Sequence, residues 1–250
     1  KNSPIARYFR FFESVSYAAA DHIGIQSNSN LKWFSDEYNG RAQLHLLYNW
    51  AVDREPLISD NHFRQTLDIS SKVIFFYGGN IGSAQDTMNL VRLAQRMKRH
   101  GEAHFLFVGN GDQVDLLLKA KKEMQLDNLT YLPPVDQNTF SRLVAEVDVG
   151  LFSLSPLHST HNFPGKLLGY MQQEVPILGS VNAGNDLVVV IEEYKAGSVF
   201  TNGDDDALYE HAVRFLNDSE GRRKMGENAK ELLRQKFSVD AVMKQILSAF

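Results

Sequence analysis

The strongest constraint on the fold is a regular alternation of apolar and helical segments that begins at Val73. VIFFY (Val73–Tyr77) and HFLFVG (His104–Gly109) are continuous apolar runs, which are typical of parallel strands buried on both faces. Between them, residues 83–100 carry apolar side chains at the i, i+3, i+4 and i+7 spacing of a helix. Strands that alternate with helices through short connections predict an α/β fold with a parallel sheet.

The alternation divides the chain into parts. Residues 71–235 hold enough strands and helices for a complete Rossmann-like domain, whereas residues 1–50 hold too few strands. We interpret residues 1–50 as the tail of a preceding α/β domain and place a boundary around Asn49–Pro56. Further strands are predicted in DHIGIQS, HLLYNWAVDREP, LTYLPPV, VDVGLFSL, VPIL and SVF, and further helices near residues 4–20, 30–37, 113–124, 140–146, 185–195, 205–216, 219–236 and 238–250, with one more starting near residue 164.

Composition disfavours or excludes several classes of protein. The formal net charge of −4 disfavours wholesale nucleic-acid binding, and the absence of cysteine excludes disulfides, thiolate chemistry and Cys-based zinc sites. No apolar run approaches the ~18–20 residues of a membrane-spanning helix, and no signal peptide is visible, so a cytoplasmic protein is expected. The chain starts at Lys1 rather than at Met, and we expect it to be part of a longer protein.

Four loops follow predicted strands at the edge where ligands bind in open parallel sheets, outside the carboxyl ends of the strands. A single glycine loop is equally well explained as a tight turn between a strand and a helix. Glycine in three of the four loops favours a ligand site, because glycine lets the backbone approach a bound group closely. The loops are Gly78–Gly82, Gly109–Asp112, Pro133–Val135 and Ser153–Gly165.

The fourth loop leads into HNFPGKLLGYM and carries the clearest signal. We expect Asn162 to cap the helix and Pro164 to occupy its first position. The unpaired N–H groups of a first helical turn bind anions such as phosphate. Lys166 falls in that turn, where the helix dipole disfavours a cation, so its presence indicates a bound anion. The alternative is that Lys166 points into solvent.

Several segments together point to one family. They are YAAADHIGIQS, LLYNW, YGGNIGSAQ, LFVGNGD, NFPGKLLGYM with VPILGSVNAGND, and FSVDAVMKQIL. Jointly they resemble the retaining GT-B glycosyltransferases of the family 4 group, especially bacterial enzymes of O-antigen, capsule and lipopolysaccharide biosynthesis. On this resemblance, residues 1–50 are the C-terminal remnant of the acceptor domain, residues 51–236 the nucleotide-sugar (donor) domain, and residues 237–250 a helix that crosses back.

The resemblance implies an activity and its partners. A sugar would pass from a nucleotide-diphosphate donor, UDP-linked, to a lipid-linked or saccharide acceptor, which is a glycolipid or an oligosaccharide. N-acetyl-L-fucosamine transfer is the nearest specific activity. The resemblance implies neither a metal nor a cofactor, no nucleic-acid partner, and peripheral contact with the inner face of the bacterial membrane.

The resemblance also implies roles for individual residues. Lys166 would be catalytic, stabilising the charge that develops on the β-phosphate oxygen. The first loop would approach the donor phosphates and sugar, the second the nucleoside, and the third the base. The donor-binding positions are Gly79, Asn80, Ile81, Gly82, Asn110, Gly111, Pro134, Val135, His161, Phe163, Pro164, Gly165 and Leu167.

This sequence departs from the family pattern at two positions. Many members carry two glutamates eight residues apart around this helix, the first touching the transferred sugar and the second the ribose. His161 and Gly169 stand at these positions. The basic residues that many members carry in the first loop are also missing, which moves the neutralisation of phosphate toward Lys166.

A metal site is the weaker reading of two polar groups. His158 and His161 are three residues apart, but no acidic residue lies near them to complete a site. GDDDALYE resembles the Asp-x-Asp of metal-dependent glycosyltransferases, yet it precedes a predicted helix, where capping explains the acids.

Other functions remain open from the sequence. The replacements at His161 and Gly169 leave room for a non-catalytic sugar-nucleotide-binding GT-B subunit. A UDP-sugar epimerase of the same fold would need acid–base carboxylates at the cleft, which we cannot place. A plain α/β interaction domain is a third alternative.

Overall fold

The computed structural model describes residues 3–157, 161 and 163–249 of the 250-residue chain. A two-stranded parallel sheet precedes a six-stranded parallel sheet that is flanked by helices. A 3₁₀ turn (Ser83–Gln85) precedes α4, and a π-helical turn (Leu233–Phe237) follows α10. The strands are β1 His22–Ile25, β2 Gln43–Leu46, β3 Val73–Gly78, β4 Ala103–Val108, β5 Leu129–Leu132, β6 Val149–Ser153, β7 Ile177–Val181 and β8 Gly197–Thr201. The helices are α1 Pro4–Ala19, α2 Asn28–Glu37, α3 His62–Thr66, α4 Thr87–Met97, α5 Val114–Glu123, α6 Gln137–Val144, α7 Lys166–Gln172, α8 Leu187–Glu193, α9 Asp205–Asn217, α10 Ser219–Leu232 and α11 Val239–Ala249.

The six-stranded sheet has the order β5-β4-β3-β6-β7-β8, and every neighbouring pair is parallel. This confirms the predicted α/β class with a parallel sheet. Strands β4 and β5 follow β3 toward one edge of the sheet. The chain then crosses back, so that β6 pairs with the other side of β3, and β7 and β8 continue to the opposite edge. Ligands of such sheets bind where the order reverses, outside the carboxyl ends of the strands. The loops after β3 and β6 therefore border the expected crevice.

Each face of this sheet buries its own apolar core. Ile74 and Phe76 of β3 pack with α7 on one face, whereas Phe75 and Tyr77 pack with α4 on the other. Because side chains alternate between faces, a strand buried on both sides must be apolar throughout. Each buried ring of this kind contributes about 1.5–3 kcal/mol to the stability.

The short helix α3 was not predicted, and several predicted elements have other bounds than the observed ones, two of them near the crevice or the connection. Helix α4 begins at Thr87 rather than near residue 83, because the 3₁₀ turn ends at Asp86, whose φ of 42° interrupts the helix. The strand predicted in HLLYNWAVDREP ends at Leu46. The N–H of Leu47 makes the last bond to β1, at Ile25 O, and the backbone of Ala51 then bonds to Phe237 and Val239 instead.

The connection between the two sheets is held against helices of the larger sheet. Ala51 forms an isolated parallel bridge with Ser238, just before α11 returns to the two-stranded sheet. The buried ammonium of Lys230 on α10 lies 2.7 Å from the carboxylate of Asp53 and donates to the backbone carbonyl of Arg54. The Lys230 hydrogen bond is also the main cause that lowers the pKa of Asp53. Residues 51–54 of the connection are therefore held against α10 and the segment that precedes α11.

Candidate functional site

The crevice lies between the carboxyl ends of β3 and β6. Strands β3 and β4 pair over six residues, but β3 and β6 pair only at Phe75–Val149 and Phe76–Gly150. The last residues of β3 therefore have no backbone partner on β6. This opening is bordered by the first loop, Gly78–Gly82, and by the chain that leads from β6 into α7.

The first and second loops are bonded to each other. The N–H of Gly79 donates to Val108 O at 2.9 Å, and the N–H of Ile81 donates to Asn110 O at 2.8 Å. A Cβ on Gly111 would lie 2.1 Å from Ile81 O, so only glycine permits this approach. The two loops thus form one rigid edge of the crevice.

This bonding changes what the first loop can offer a ligand. The N–H groups of Gly79 and Ile81 are already used, and the Ile81 side chain is fully buried in the core. The Ile81 side chain therefore shapes the loop and does not face the crevice, and donor binding by this loop stays a prediction. Among the described residues, the N–H groups of Asn80 and Gly82 make no hydrogen bond, and Asn80 is exposed.

Lys166 extends across the crevice to the first loop. Its neighbours on α7 pack on one face of the sheet, whereas its Nζ lies 3.5 Å from the ring centroid of Tyr77, which packs on the other. A Cβ on Gly79 would lie 3.7 Å from this Nζ. The alternative that Lys166 points into solvent is wrong, because its Nζ is buried.

The electrostatics around Lys166 are unusual for an ammonium group. Within the described part of the chain, its Nζ has no hydrogen-bond partner. Burial lowers the pKa of Lys166 to about 7. The contact with the Tyr77 face offers a cation–π attraction but no counter-charge. An anion that reached the Nζ of Lys166 would supply the missing partner.

Helix α7 begins at Lys166, later than predicted. Gly165 is the N-cap residue and makes no side-chain capping bond, so Pro164 precedes the helix instead of occupying its first position. Asn162, the predicted cap, lies outside the described residues. The N–H groups of Leu167 and Leu168 bond to the carbonyls of Pro164 and Gly165, so neither is free for a ligand in this structure, and the donor-binding role of Leu167 stays a prediction.

The late start of α7 follows from the packing of Phe163. Its ring lies 4.3 Å from that of Phe237 and 6.5 Å from that of Tyr48, within the core. The Leu167 side chain is fully buried in the same core. Both residues were predicted as donor contacts, and their side chains are instead directed into the protein. They hold Lys166 in place without facing the crevice.

His161 is held by the N-terminal part of the chain. The side-chain amide of Asn30 donates to His161 O at 2.9 Å and accepts from its N–H at 3.1 Å. Nearby, the carboxylate of Asp186 accepts from the N–H of Asn28 at 2.8 Å. Among the described residues, the buried Nδ1 of His161 has no partner. Asn30 carried no sequence signal of this role, since the contact joins residues far apart in the chain.

A groove of about 380 Å³ opens beside these loops between α6 and α7. Gln137 and Phe140 line one wall, and Gly165 and Gly169 line the other. A Cβ on Gly169 would meet no atom within 4 Å, so the missing acid leaves open space rather than a filled contact. The predicted base-binding loop just before α6 holds Pro134, which is exposed, and Val135, which is half-buried.

The acidic run before α9 has a structural explanation. Asp204 caps the helix by accepting from the N–H of Ala207 at 3.1 Å. Asp205 binds Arg92 at 2.8 Å, and Asp206 binds Arg96 at 2.8 Å. In the described parts of the chain, no group of three metal-ligating side chains is found. His158, the other half of the weak histidine pair, lies outside the described residues.

Comparison with known proteins identifies the family. A family model described as glycosyl transferases group 1 matches residues 59–232, well over half of the chain. The chain belongs to this family. The matched residues include the loops after β3, β4, β5 and β6 and the whole of α7.

Two curated relatives are similar in sequence. Probable glycosyltransferase WbjE of Pseudomonas aeruginosa is 27% identical over 202 residues, which cover 79% of this chain and 50% of WbjE. N-acetyl-alpha-D-glucosaminyl L-malate synthase of Bacillus anthracis is 25% identical over 229 residues, covering 90% of this chain and 58% of that protein. The chain therefore spans about half the length of the curated relatives it matches.

A solved structure of another protein is similar in fold to this chain. Anabaena Alr3699/HepE, crystallised with UDP-glucose, matches with a TM-score of 0.79 at 17% identity, covering 94% of this chain and 65% of that one. At this identity the likeness shows the fold, which is GT-B. The resemblance predicted from the sequence is thus confirmed for the group 1 glycosyl transferase family and for the GT-B fold, and its assignment to the family 4 group stays a prediction.

Proposed function

We propose that the chain carries the donor site of a retaining glycosyltransferase that uses a UDP-sugar. One observation carries this proposal: the buried ammonium of Lys166 has no counter-charge and lies against Gly79 at the switch point of the sheet. A diphosphate fits this place, because it brings negative charge to a desolvated cation and to the open N–H groups around it. UDP-glucose bound to the related fold of HepE supports the same ligand class.

The reaction follows from the charge that must be stabilised. The bond between the anomeric carbon and the β-phosphate oxygen breaks, and negative charge develops on that oxygen. Lys166 would stabilise this charge inside a desolvated crevice, where a fixed cation is most effective. The acceptor hydroxyl attacks from the same face as the leaving diphosphate, and its proton passes to the departing phosphate oxygen. Configuration is then retained, and no metal is needed.

Donor binding is tested directly by calorimetry. Wild-type protein should bind UDP-glucose, and Lys166→Met should weaken binding, because one charge-assisted contact to the diphosphate is lost. Lys119→Ala removes an exposed lysine of α5 and serves as the matched control. Equal affinity of wild type and Lys166→Met for UDP-glucose would refute the proposed donor site.

The catalytic role needs a turnover assay with the full-length protein. Lys166→Ala should lower turnover by roughly 10²–10³, the usual cost of removing one donor that stabilises developing charge. EDTA should leave the wild-type rate unchanged, and the product should keep the donor's anomeric configuration. Near-wild-type turnover of Lys166→Ala would refute the catalytic role while leaving donor binding intact.

The sugar and the acceptor are approached by a donor screen. Because a ligand that binds only the folded state raises the melting temperature, the cognate donor should stand out in thermal shift. The screen includes UDP-N-acetyl-L-fucosamine, which an O-antigen role would favour, together with UDP-glucose and UDP-N-acetylglucosamine. No helix in the described residues is both long and apolar enough to cross a membrane. We propose a cytoplasmic site of action with a lipid-linked or oligosaccharide acceptor and peripheral membrane contact.

A second candidate function is a sugar-nucleotide-binding subunit that catalyses no transfer. The open space at Gly169 and the histidine at position 161 favour it, since both acids of the common pattern are absent. Tight donor binding with no transfer to any lipid-linked acceptor in the full-length protein would select this alternative.

A further inference from the structure

Tyr170 lies directly beneath the crevice and is fully buried. Its hydroxyl is 3.0 Å from Leu151 O on β6 and 3.3 Å from Phe76 O on β3. The same oxygen accepts the N–H of Gly78 at 3.3 Å. One side chain from α7 thus bonds to both strands at the point where their pairing ends.

Two of these backbone groups, Gly78 N–H on β3 and Leu151 O on β6, would otherwise be unpaired in the core. The β3–β6 ladder stops at Phe76 and Gly150, so the groups beyond it have lost their strand partners. A buried backbone group without a partner costs about 1–3 kcal/mol. The phenol hydroxyl donates its one proton to Leu151 O at 3.0 Å and accepts the N–H of Gly78, so a single Tyr170 serves one backbone group on each strand. Gly150 makes room, because a Cβ there would lie 2.4 Å from the Tyr170 ring.

The position of Tyr170 connects this bonding to the ligand site. Lys166 precedes it by four residues on α7, so both side chains lie on the same side of the helix. Tyr170 fixes the helix against the ends of β3 and β6, and Lys166 then extends over Tyr77 at the end of β3. The distance across the opening is set by the hydroxyl contacts rather than by a strand ladder.

We propose that Tyr170 is a positioning residue for donor binding: its hydroxyl replaces the missing partners of β3 and β6 and thereby holds Lys166 against Gly79. This role rests on the proposed donor site. A phenylalanine at this position keeps the ring packing but leaves Gly78 N–H and Leu151 O without their partner. The end of β3 and α7 then lose their common attachment, and Lys166 loses its fixed place in the crevice.

The test compares Tyr170→Phe with Val199→Ala, a core substitution on β8 at the far edge of the sheet. Val199→Ala also lowers the melting temperature but does not contact the crevice. Tyr170→Phe should weaken UDP-glucose binding by about tenfold, the scale expected when a charged contact is displaced by a fraction of an ångström. Val199→Ala should bind UDP-glucose as wild type does.

A second readout needs no bound donor. Trace labelling of lysine amines with acetic anhydride, followed by mass spectrometry over a pH series, reports the titration of Lys166 itself. In Tyr170→Phe the titration midpoint of the Lys166 amine should move upward toward that of an exposed lysine, because the amine is no longer held in its desolvated position. Circular dichroism verifies that the variant is folded.

The outcomes separate this role from the proposed function. A Lys166 midpoint that is the same in Tyr170→Phe and wild type would overturn the positioning role, as would a loss of affinity no greater than that of Val199→Ala. Equal UDP-glucose affinity of wild type and Lys166→Met would refute the donor site instead, whatever the labelling of Tyr170→Phe shows.

Discussion

Lys166 makes donor binding depend on pH in a way that can be calculated. In the free protein burial lowers its pKa to about 7, so the amine is about half neutral at pH 7. A bound diphosphate favours the charged form and restores the pKa toward that of an ordinary lysine. Donor binding is therefore coupled to proton uptake by Lys166, which grows as the pH rises through the pKa of the free protein. A UDP-sugar keeps a constant diphosphate charge over the neutral range, whereas free UDP does not.

The size of the effect follows from the two pKa values. Below pH 6 Lys166 is charged in both states, and affinity does not depend on its titration. Above pH 7 each pH unit lowers affinity by up to about tenfold, so the dissociation constant for UDP-glucose should rise about 30-fold between pH 6 and pH 8.5. Proton uptake should be about half a proton per donor bound at pH 7 and close to one at pH 8.5.

Calorimetry in buffers of different ionisation enthalpy measures both quantities at once. Lys166→Arg is the matched control, because a guanidinium stays charged throughout this range and should bind without proton uptake. The two proteins share every other ionisable group, so the contribution of those groups appears in the control as well. Affinity that stays flat from pH 6 to 8.5, or an equal slope in Lys166→Arg, would refute the reasoning.

Three further predictions concern stability and are measured by chemical denaturation of the 250-residue chain. Gly111→Ala should lower the free energy of unfolding by about 2 kcal/mol or more, because its Cβ would meet Ile81 O at 2.1 Å; a change within about 0.5 kcal/mol would contradict the close approach. Gly169→Glu should not destabilise, since a side chain there enters open space and glycine is a poor helix former; a marked loss would mean that the groove is closed. Lys230→Met should cost about 1–3 kcal/mol, because the buried hydrogen bonds of the ammonium to Asp53 and to the Arg54 carbonyl are lost while Asp53 keeps Arg234, and a stabilised variant would show that these bonds do not hold the connection.

The parallel sheet could be predicted because its information is local. The apolar runs at VIFFY and HFLFVG and the helical spacing between them are readable along the chain, and burial on both faces explains them. The position of α7 could not be predicted with the same accuracy. Its start depends on where the Phe163 ring packs, and that ring contacts Phe237 from the other end of the domain.

The candidate site shows the same division between local and distant information. Glycines in the first and second loops indicated a close backbone approach, but that approach is between the two loops as well as toward a ligand. Lys166 was identified from its place near a helix start. Its burial on Tyr77 and the hydroxyl of Tyr170 beneath it depend on how α7 lies across two strands, which local sequence patterns do not encode.

The bridge between Ala51 and Ser238 has a mechanical consequence. The chain passes between the two sheets twice, and both passages run side by side through this single bridge. A rotation of the N-terminal part about this bridge would leave the hydrogen bonds of Ala51 intact. The same rotation would break the hydrogen bonds between Asn30 and His161, because this pair lies away from the bridge. The position of the N-terminal part relative to His161 thus depends on the bridge at Ala51 and on the hydrogen bonds of Asn30.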